Sequence, residues 1–343
     1  MKLVRRFYDE KKIDWTPPGN LVPGDEDLFG RKSYTFLPSG LFLVRNAVVS
    51  PLGIVYRNFR SLKGFIICYN EDFKNYKTRY LLKALLRYKS KTLDKNTKYI
   101  ILFDNYSGPK GFAHWLCDGL TRIAELNDEL SEYTALLPAY FKNEKLYLQT
   151  LDFFKLGKVA YLEENTLTKV PELYIPSHIA PTGVFRPENI EKLRNIILPR
   201  IKAPEKPVDY IYISRAKTAR RHVENEDEVC AYLITQGFVI LYFEEYSFTE
   251  QLSLVHHAKA VVSIHGAALA MIMFMRQNAD VLEFRKKNDG HNSMYFFLSS
   301  AAGVNYHYLE CDYTDIAANA NSFDLKVNVD GLKKNIERIK QNK

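Results

Sequence analysis

The chain has 343 residues, enough for two domains with full cores, and is 46% hydrophobic and 26% charged, the balance of a globular protein. A formal charge of +8 and a sequence pI near 9.0 leave three partner classes open: nucleic acid, an anionic membrane surface or an anionic small ligand. The cations are spread rather than gathered into a basic arm, which weighs against a polynucleotide tail, and no apolar run is long enough to span a bilayer.

Residues 1–60 read as irregular, with turns at Pro17-Pro18-Gly19 and Pro23-Gly24. Met1 to Glu10 lacks the apolar stretch of a secretory signal. Asp25-Glu26-Asp27 has the D-x-D form of a metal site but follows a turn rather than a strand, so it reads as a solvated loop. Two short strand-like pieces lie between Val44 and Tyr56. Strands are expected at Gly64 to Cys68, Lys98 to Phe103 and Lys158 to Leu162. Helices are expected at Tyr80 to Tyr88, Phe112 to Leu126 and Glu144 to Leu156. That alternation implies a parallel sheet covered on both faces. Cys68, Cys117, Cys230 and Cys311 contain no C-x-x-C pair, so neither a zinc site nor a disulfide framework is expected, and a reducing, cytoplasmic setting is the default.

Prolines cluster between Pro171 and Pro207 and mark the best domain boundary. A second alternating unit follows. It has strands at Tyr210 to Ile213, Phe238 to Phe243, Ala260 to Ile264, Val281 to Phe284 and Tyr306 to Leu309. Its helices run from Glu226 to Gln236, stopped by Gly237, from a capping box at Ser247 and Glu250 to His257, and from Ser293 to Ala302. The tail from Val329 is an amphipathic helix. The expected division is 1–181, an N-terminal α/β domain; 182–312, a C-terminal α/β domain; and 313–343, a tail and helix that could cross back to the first domain.

Four stretches could carry chemistry. The buried strand Ala260 to Ile264 stops at His265-Gly266, and a helix opens at once with Ala267-Ala268. Strand, glycine turn and helix N-terminus together can bind an anion, through free N–H groups and the helix dipole. The plainer alternative is an ordinary βα corner. The loop after Ile213 holds Ser214, Arg215, Lys217, Arg220, Arg221 and His222, then Asn225 and Glu226 at the next helix start. Those cations would face the same sheet rim as the His265-Gly266 turn and suit a diphosphate. The third stretch puts His114, Asp118 and Arg122 at i, i+4 and i+8 of one helix, where a carboxylate can orient a histidine base. It can equally be a satisfied His beside a surface Asp–Arg pair. Glu283, ending a strand one element beyond the turn, could accept hydrogen bonds from ribose hydroxyls or simply face a helix or solvent. G-x-x-x-x-G-K-[ST], H-E-x-x-H, G-x-S-x-G and G-x-G-x-x-G are all absent.

Taken together and in order, these segments resemble glycosyltransferase family 61, including bacterial members described as capsular polysaccharide biosynthesis proteins. The resemblance rests on Gly111-Phe-Ala-His114-Trp115-Leu-Cys-Asp118-Gly119-Leu-Thr-Arg122, Tyr212-Ile-Ser214-Arg215 with Arg220 to Glu226, Ser247-Phe-Thr-Glu250-Gln251, His265-Gly266-Ala-Ala-Leu-Ala, Val281-Leu-Glu283-Phe and Val327-Asn-Val-Asp330-Gly-Leu. It starts near Tyr99. Two departures stand out: His265-Gly266-Ala267-Ala268 replaces the usual HGAG, and Arg276-Gln277-Asn278 stands where a Pro-Gly turn is common.

The resemblance implies a GT-B-like α/β fold, two Rossmann-like domains facing across a cleft, and an inverting glycosyl transfer; with no D-x-D in a fitting context, cationic side chains can do the work of a metal, so no metal or other cofactor is expected. The donor would be a nucleoside-diphosphate sugar, with UDP the expected carrier. Ser214, Arg215, Arg220, Arg221, Asn225, Glu226, His265, Gly266, Ala267 and Glu283 would form its site. His114 or Asp118 would be the base on a glycan or lipid-linked acceptor, in surface polysaccharide biosynthesis at the inner face of the cell membrane. A catalytically silent nucleotide- or glycan-binding protein of the same fold is the alternative, and a nucleic-acid binder is the weakest reading.

Overall fold

The computed structural model describes residues 1–62, 65, 80–104, 111–290, 292–315 and 323–341. The strand expected at Gly64 to Cys68 lies outside them, Phe65 apart. The chain divides into two compact units: Met1–Lys11 with Thr35–Ile196, and Lys12–Tyr34 with Ile197–Lys343.

Among the described residues, unit 1 is built on a nine-stranded sheet. Val159–Leu162, Thr134–Pro138, Tyr99–Ile101 and Thr166–Pro176 run parallel in that order. The sheet then turns antiparallel: Ser39–Val49 pairs with Thr166–Pro176 on one side and with Val55–Arg57 on the other. The sheet is therefore mixed, where a parallel one was expected. Lys2–Tyr8 pairs with Ser39–Val49, so residues 1–60 are far from irregular. Thr166–Pro176 holds two of the prolines read as boundary texture. Pro171 is tolerated because the ladder steps over it, Val170 opposite Ala47 and Glu172 opposite Arg45, and the facing Asn46 has φ 55.

Unit 2 is closer to expectation. Its six strands lie in the order Val239–Leu241, Tyr210–Ile213, Ala260–Ile264, Asp280–Lys286, Asn305–Asp315, Phe323–Lys326. All but the last run parallel. In chain order that is 2-1-3-4-5 plus an antiparallel edge, the arrangement of a doubly wound nucleotide-binding sheet. Ala260–Ile264 and Asp280–Phe284 are buried on both faces, which explains their unbroken apolar runs. Phe248–His257 opens on the expected capping box: Ser247 Oγ accepts from Glu250 N, and Glu250 Oε2 accepts from Ser247 N at 2.7 Å. Gly237 ends the Glu226–Thr235 helix with φ 78, which glycine adopts freely.

Two segments change places relative to the expected division. Residues 182–196, including most of the Pro187–Ile197 helix, belong to unit 1, where Asn189 Nδ2 donates to Thr121 O and Glu125 Oε1. Residues 12–34 belong to unit 2: Trp15 packs on Phe297, Phe29 on Phe296 and Tyr306, and Asn20 bridges Tyr308 O and Asn335. The tail helix Val329–Gln341 stays with unit 2, its Leu332, Ile336 and Ile339 sharing one core with Val262, Leu282 and Leu325.

Candidate active site

A doubly wound sheet binds ligands where its strand order reverses, at the C-terminal strand ends. In unit 2 that point falls between Tyr210–Ile213 and Ala260–Ile264. The first strand leads into Ser214-Arg215, the second into His265-Gly266. The two anion-binding candidates therefore meet. Arg215 lies against Gly266 so closely that a Cβ there would come 2.7 Å from Nη1 and 3.2 Å from Cζ. Gly266 itself has φ 178 and ψ 168, extended backbone open to any residue. The glycine lets the arginine lie close, and no left-handed backbone angle calls for it.

The helix after the turn, Ala267–Phe274, is a 3-10 helix, with Leu269 N bonded to Gly266 O at 2.9 Å. Helical geometry leaves its first N–H groups without intrahelical acceptors. Ala267 and Ala268 are half-buried there, while everything from Leu269 to Phe274 is buried. The start of the helix is thus partly accessible while the rest is anchored in the core.

The arginine loop is held by its own backbone. Arg215 Nη2 donates to Arg220 O at 3.1 Å, and Thr218 Oγ1 donates to Arg215 O and Arg220 O. Ser214 is buried; its Oγ accepts from Ala216 N at 3.1 Å. Arg221 sits at φ 64, a left-handed conformation that costs energy for a side chain of this size. Among the described residues neither Arg215 nor Arg221 has a carboxylate in ion-pair range, and the Nε of each is buried without a partner. Burial, with Arg220 adding repulsion, lowers the Arg215 guanidinium despite the charge of Glu244. Burial and the charge of Arg215 push Arg221 down to about 10, partly offset by Tyr295. The two half-buried cations lie close enough for the charge of Arg215 to lower Arg221.

Other members of the expected donor set are committed within the protein. Asn225 does not cap its helix; its side chain pairs with Val327 N and O at 2.9 and 3.0 Å and ties the loop to the edge of the sheet. Glu226 accepts from Tyr212 Oη at 2.8 Å. Glu283 is fully buried beneath the turn. Its Oε1 lies 2.5 Å from His265 Nδ1, and its Oε2 accepts from Tyr306 Oη at 2.6 Å. Asn292 Nδ2 lies 2.9 Å from His265 Nε2, and Tyr295 packs on the imidazole with ring centroids 5.0 Å apart. Behind Tyr306 stands Arg285, 3.4 Å from its Oη. Oε1 of Glu283 thus serves the turn and Oε2 the neighbouring strand, rather than opening to a ribose. Arg285 and Tyr306 escaped sequence reasoning because both faces of their strands are buried and alternation carries no signal there.

In unit 1 the His114 constellation also lies at strand ends. Its helix runs Phe112–His114, then π-helical Trp115–Leu120, then Thr121–Ala124. A π segment inside an α-helix is rare and concentrates at functional sites. His114 Nδ1 lies 3.0 Å from Asp118 Oδ2, and Thr182 Oγ1 donates to the same oxygen at 2.9 Å. Asp118 is almost wholly buried, and His114 is about a third exposed. Burial opposes the His114 imidazolium, but the hydrogen bond and charge of Asp118, with Asp104 behind, outweigh it and raise the imidazole. Arg122 does not form the surface pair with Asp118 that the plainer alternative supposed. It is buried, bonded through Nη2 to Asp104 Oδ2 at 2.7 Å and through Nε to Asp118 O at 2.9 Å. His178, beyond the end of Thr166–Pro176, is pushed down to about 3 by burial and by Arg122, partly offset by Asp104. Asp104 and Thr182 stood in the sequence only as loop residues; their position after adjacent parallel strands is what distinguishes them.

Asp25, Glu26 and Asp27 hold no metal arrangement: Tyr308 Oη donates to Asp25, and Glu26 Oε2 accepts from Gly24 N at 2.8 Å. Among the described residues no three His, Cys, Asp or Glu side chains gather to hold a cation.

Residues 112–282 match the Glycosyltransferase 61 family. The match begins on the His114 helix and contains the arginine loop and the His265-Gly266 turn; Glu283 falls just beyond it. The EGF domain-specific O-linked N-acetylglucosamine transferase of Drosophila melanogaster is 29% identical over 132 residues, 38% of this chain and 25% of that protein. The aligned part spans about a quarter of the relative's length. These two similarities support a likeness to the glycosyltransferase 61 family.

Proposed function

We propose that this chain transfers a sugar from a nucleoside-diphosphate sugar to a glycan acceptor with inversion at the anomeric carbon. The observation that carries the reading is the contact of Arg215 with Gly266 at the sheet's reversal point, beside Arg221 and with no carboxylate partner for either cation among the described residues. Arg215, Arg221 and the first N–H groups of the Ala267–Phe274 helix neutralise the departing diphosphate. Stabilising charge that develops on a leaving group in a preorganised site is the main electrostatic task of such a reaction. Cationic side chains do here what a metal does elsewhere, so the reaction is metal-independent. Glu283 acts as a positioning residue, holding His265 through Nδ1.

His114 is the base. Asp118 fixes its Nδ1 proton and stabilises the imidazolium, so Nε2 takes the proton of the acceptor hydroxyl. The hydroxyl oxygen then displaces the diphosphate in line, and one displacement inverts the centre. UDP is the expected carrier, and the name of the fruit-fly relative makes N-acetylglucosamine the first sugar to test. A lipid-linked acceptor in surface polysaccharide biosynthesis fits the positive surface.

Calorimetry with UDP and UDP-sugars in a chelating buffer tests the donor site. Release of free UDP on adding acceptor separates a transferase from a silent binding protein. No nucleotide binding by the wild type, with Arg215→Ala indistinguishable from it, would overturn the assignment.

A further inference from the structure

The described helix at 80–87 shows three kinds of face. Leu81 and Ala84 are buried against Ile54, Tyr56 and Leu167, with Tyr88 packed beside them. Leu82, Leu85 and Leu86 stand outside that contact, 58%, 48% and 87% exposed. At helical spacing these three form a stripe beside the buried one, and Lys83 and Arg87 continue the circumference. The hairpin of Val55–Arg57 and Arg60–Ser61, whose Tyr56 packs in the same cluster, carries Phe59 at its tip, 77% exposed and at φ 60. Arg57 and Arg60 flank it. Lys89–Thr92, exposed along its length, adds Lys89 and Lys91.

A leucine stripe left in water is unusual; large exposed apolar groups beside polar rims mark docking surfaces. The charge around this one names the occupant. Residues 54–62 and 80–93 hold Arg57, Arg60, Lys83, Arg87, Lys89 and Lys91 and no acidic side chain. Of these six, Lys91 has a carboxylate partner, Glu163, at 2.6 Å. Exposed apolar side chains on segments that carry cations and no acid fit a lipid bilayer whose headgroups are anionic: leucine and phenylalanine enter the acyl boundary while lysine and arginine stay at the phosphates. Among the described residues no helix is long and apolar enough to cross a membrane, so such a contact lies on the surface.

We propose that the helix at 80–87 and the Phe59 hairpin form a peripheral docking surface for membranes carrying anionic lipid. The surface is independent of the donor site: none of its residues belongs to the match with the family or to the constellations at the strand ends.

The test is co-sedimentation of the full chain with vesicles of phosphatidylcholine alone and of phosphatidylcholine mixed with phosphatidylglycerol. The chain should partition to the mixed vesicles and leave them as salt rises. The variant L82S/L85S/L86S, whose changes lie on exposed positions, should lose partitioning roughly tenfold or more while keeping its melting temperature. Arg87→Gln alone should cost about fivefold. Equal binding to both vesicle types, or full binding by the serine variant, would overturn the proposal. So would a protein dimer abolished by the serine substitutions together with no vesicle binding, which would make the stripe a protein interface. UDP affinity should be unchanged in the serine variant whichever result is found, so failure here is distinguishable from failure of the transferase reading.

Discussion

Replacing Gly266 with alanine tests the donor site through a single displaced group. Extended backbone at φ 178 and ψ 168 accepts alanine without strain, so the substitution acts only through its methyl. That methyl would lie 2.7 Å from Arg215 Nη1, 3.2 Å from Cζ and 3.3 Å from Cδ. The guanidinium must retreat by about 0.7 Å, the difference between 2.7 Å and the 3.4 Å at which ordinary contact begins. Because it is the far end of a flexible side chain, the fold should hardly notice. The ligand should. Recognition geometry has to be kept within about 0.5 Å, and hydrogen bonds to charged groups contribute about 1.5–3 kcal/mol. Affinity for UDP should therefore fall roughly 10- to 150-fold in Gly266→Ala.

Calorimetry on a double-mutant cycle isolates the cause. If the methyl acts by displacing Arg215, then Arg215→Ala loses about as much affinity and the double variant loses little more. Affinity within about twofold of wild type in Gly266→Ala would refute the reasoning, because a displaced charge-assisted contact must cost more. Additive losses would refute it as well, since they would mean two independent effects.

Other expectations follow from the same geometry. His114→Gln should abolish transfer and leave UDP affinity nearly intact; near-normal turnover would remove it as the base. Since Asp118 raises the His114 imidazole and the base must be neutral, the rate should fall as pH drops through a value above the ordinary 6.5. Asp118→Asn should move that acid limb of the pH–rate profile downward, and an unmoved limb would mean another group sets it. His178 is neutral when folded, pushed down to about 3, but has an ordinary imidazole when unfolded. Stability to denaturant should be full above pH 6.5 and be lost progressively as pH falls toward 3. His178→Phe should flatten that slope, and an unchanged slope assigns the acid sensitivity elsewhere. Exhaustive chelation should leave the transfer rate unchanged; loss of activity restored by a divalent cation would contradict the assignment of the arginines in place of a metal.

Unit 2 was legible because its signals are local. Apolar runs ended by polar turns give its strands, Ser247 and Glu250 give a helix start, and Gly237 gives a stop. Parallel strands put their C-terminal ends on one rim, so Arg215 and His265-Gly266 could be brought together on paper. Unit 1 was less legible because pairing with Ser39–Val49 is non-local, and prolines at 171 and 176 disguise an 11-residue strand. Side-chain roles were harder still. Glu283 lies on a strand buried on both faces, where sequence cannot tell rim from underside. The π-helical turns at Trp115–Leu120 alter the spacing that would have paired Asp118 with Arg122.

The proposed donor site also has a cost that can be measured. Arg221 combines a left-handed backbone at φ 64, partial burial, an unpartnered Nε and the charge of Arg215 nearby. Left-handed backbone alone costs about 1–2 kcal/mol in a residue of this kind. Asparagine tolerates that conformation and carries no charge. Arg221→Asn should therefore raise the melting temperature of the free protein while weakening UDP, a trade of stability against function expected at a preorganised site. Ligand stabilisation separates the two contributions. At a hundred times its dissociation constant UDP should stabilise the wild type by about 2.7 kcal/mol, and the same concentration should stabilise Arg221→Asn by less. A variant that melts lower than wild type when free yet gains as much from UDP would mean that Arg221 is a structural residue. The diphosphate would then be held by Arg215 and the turn without it.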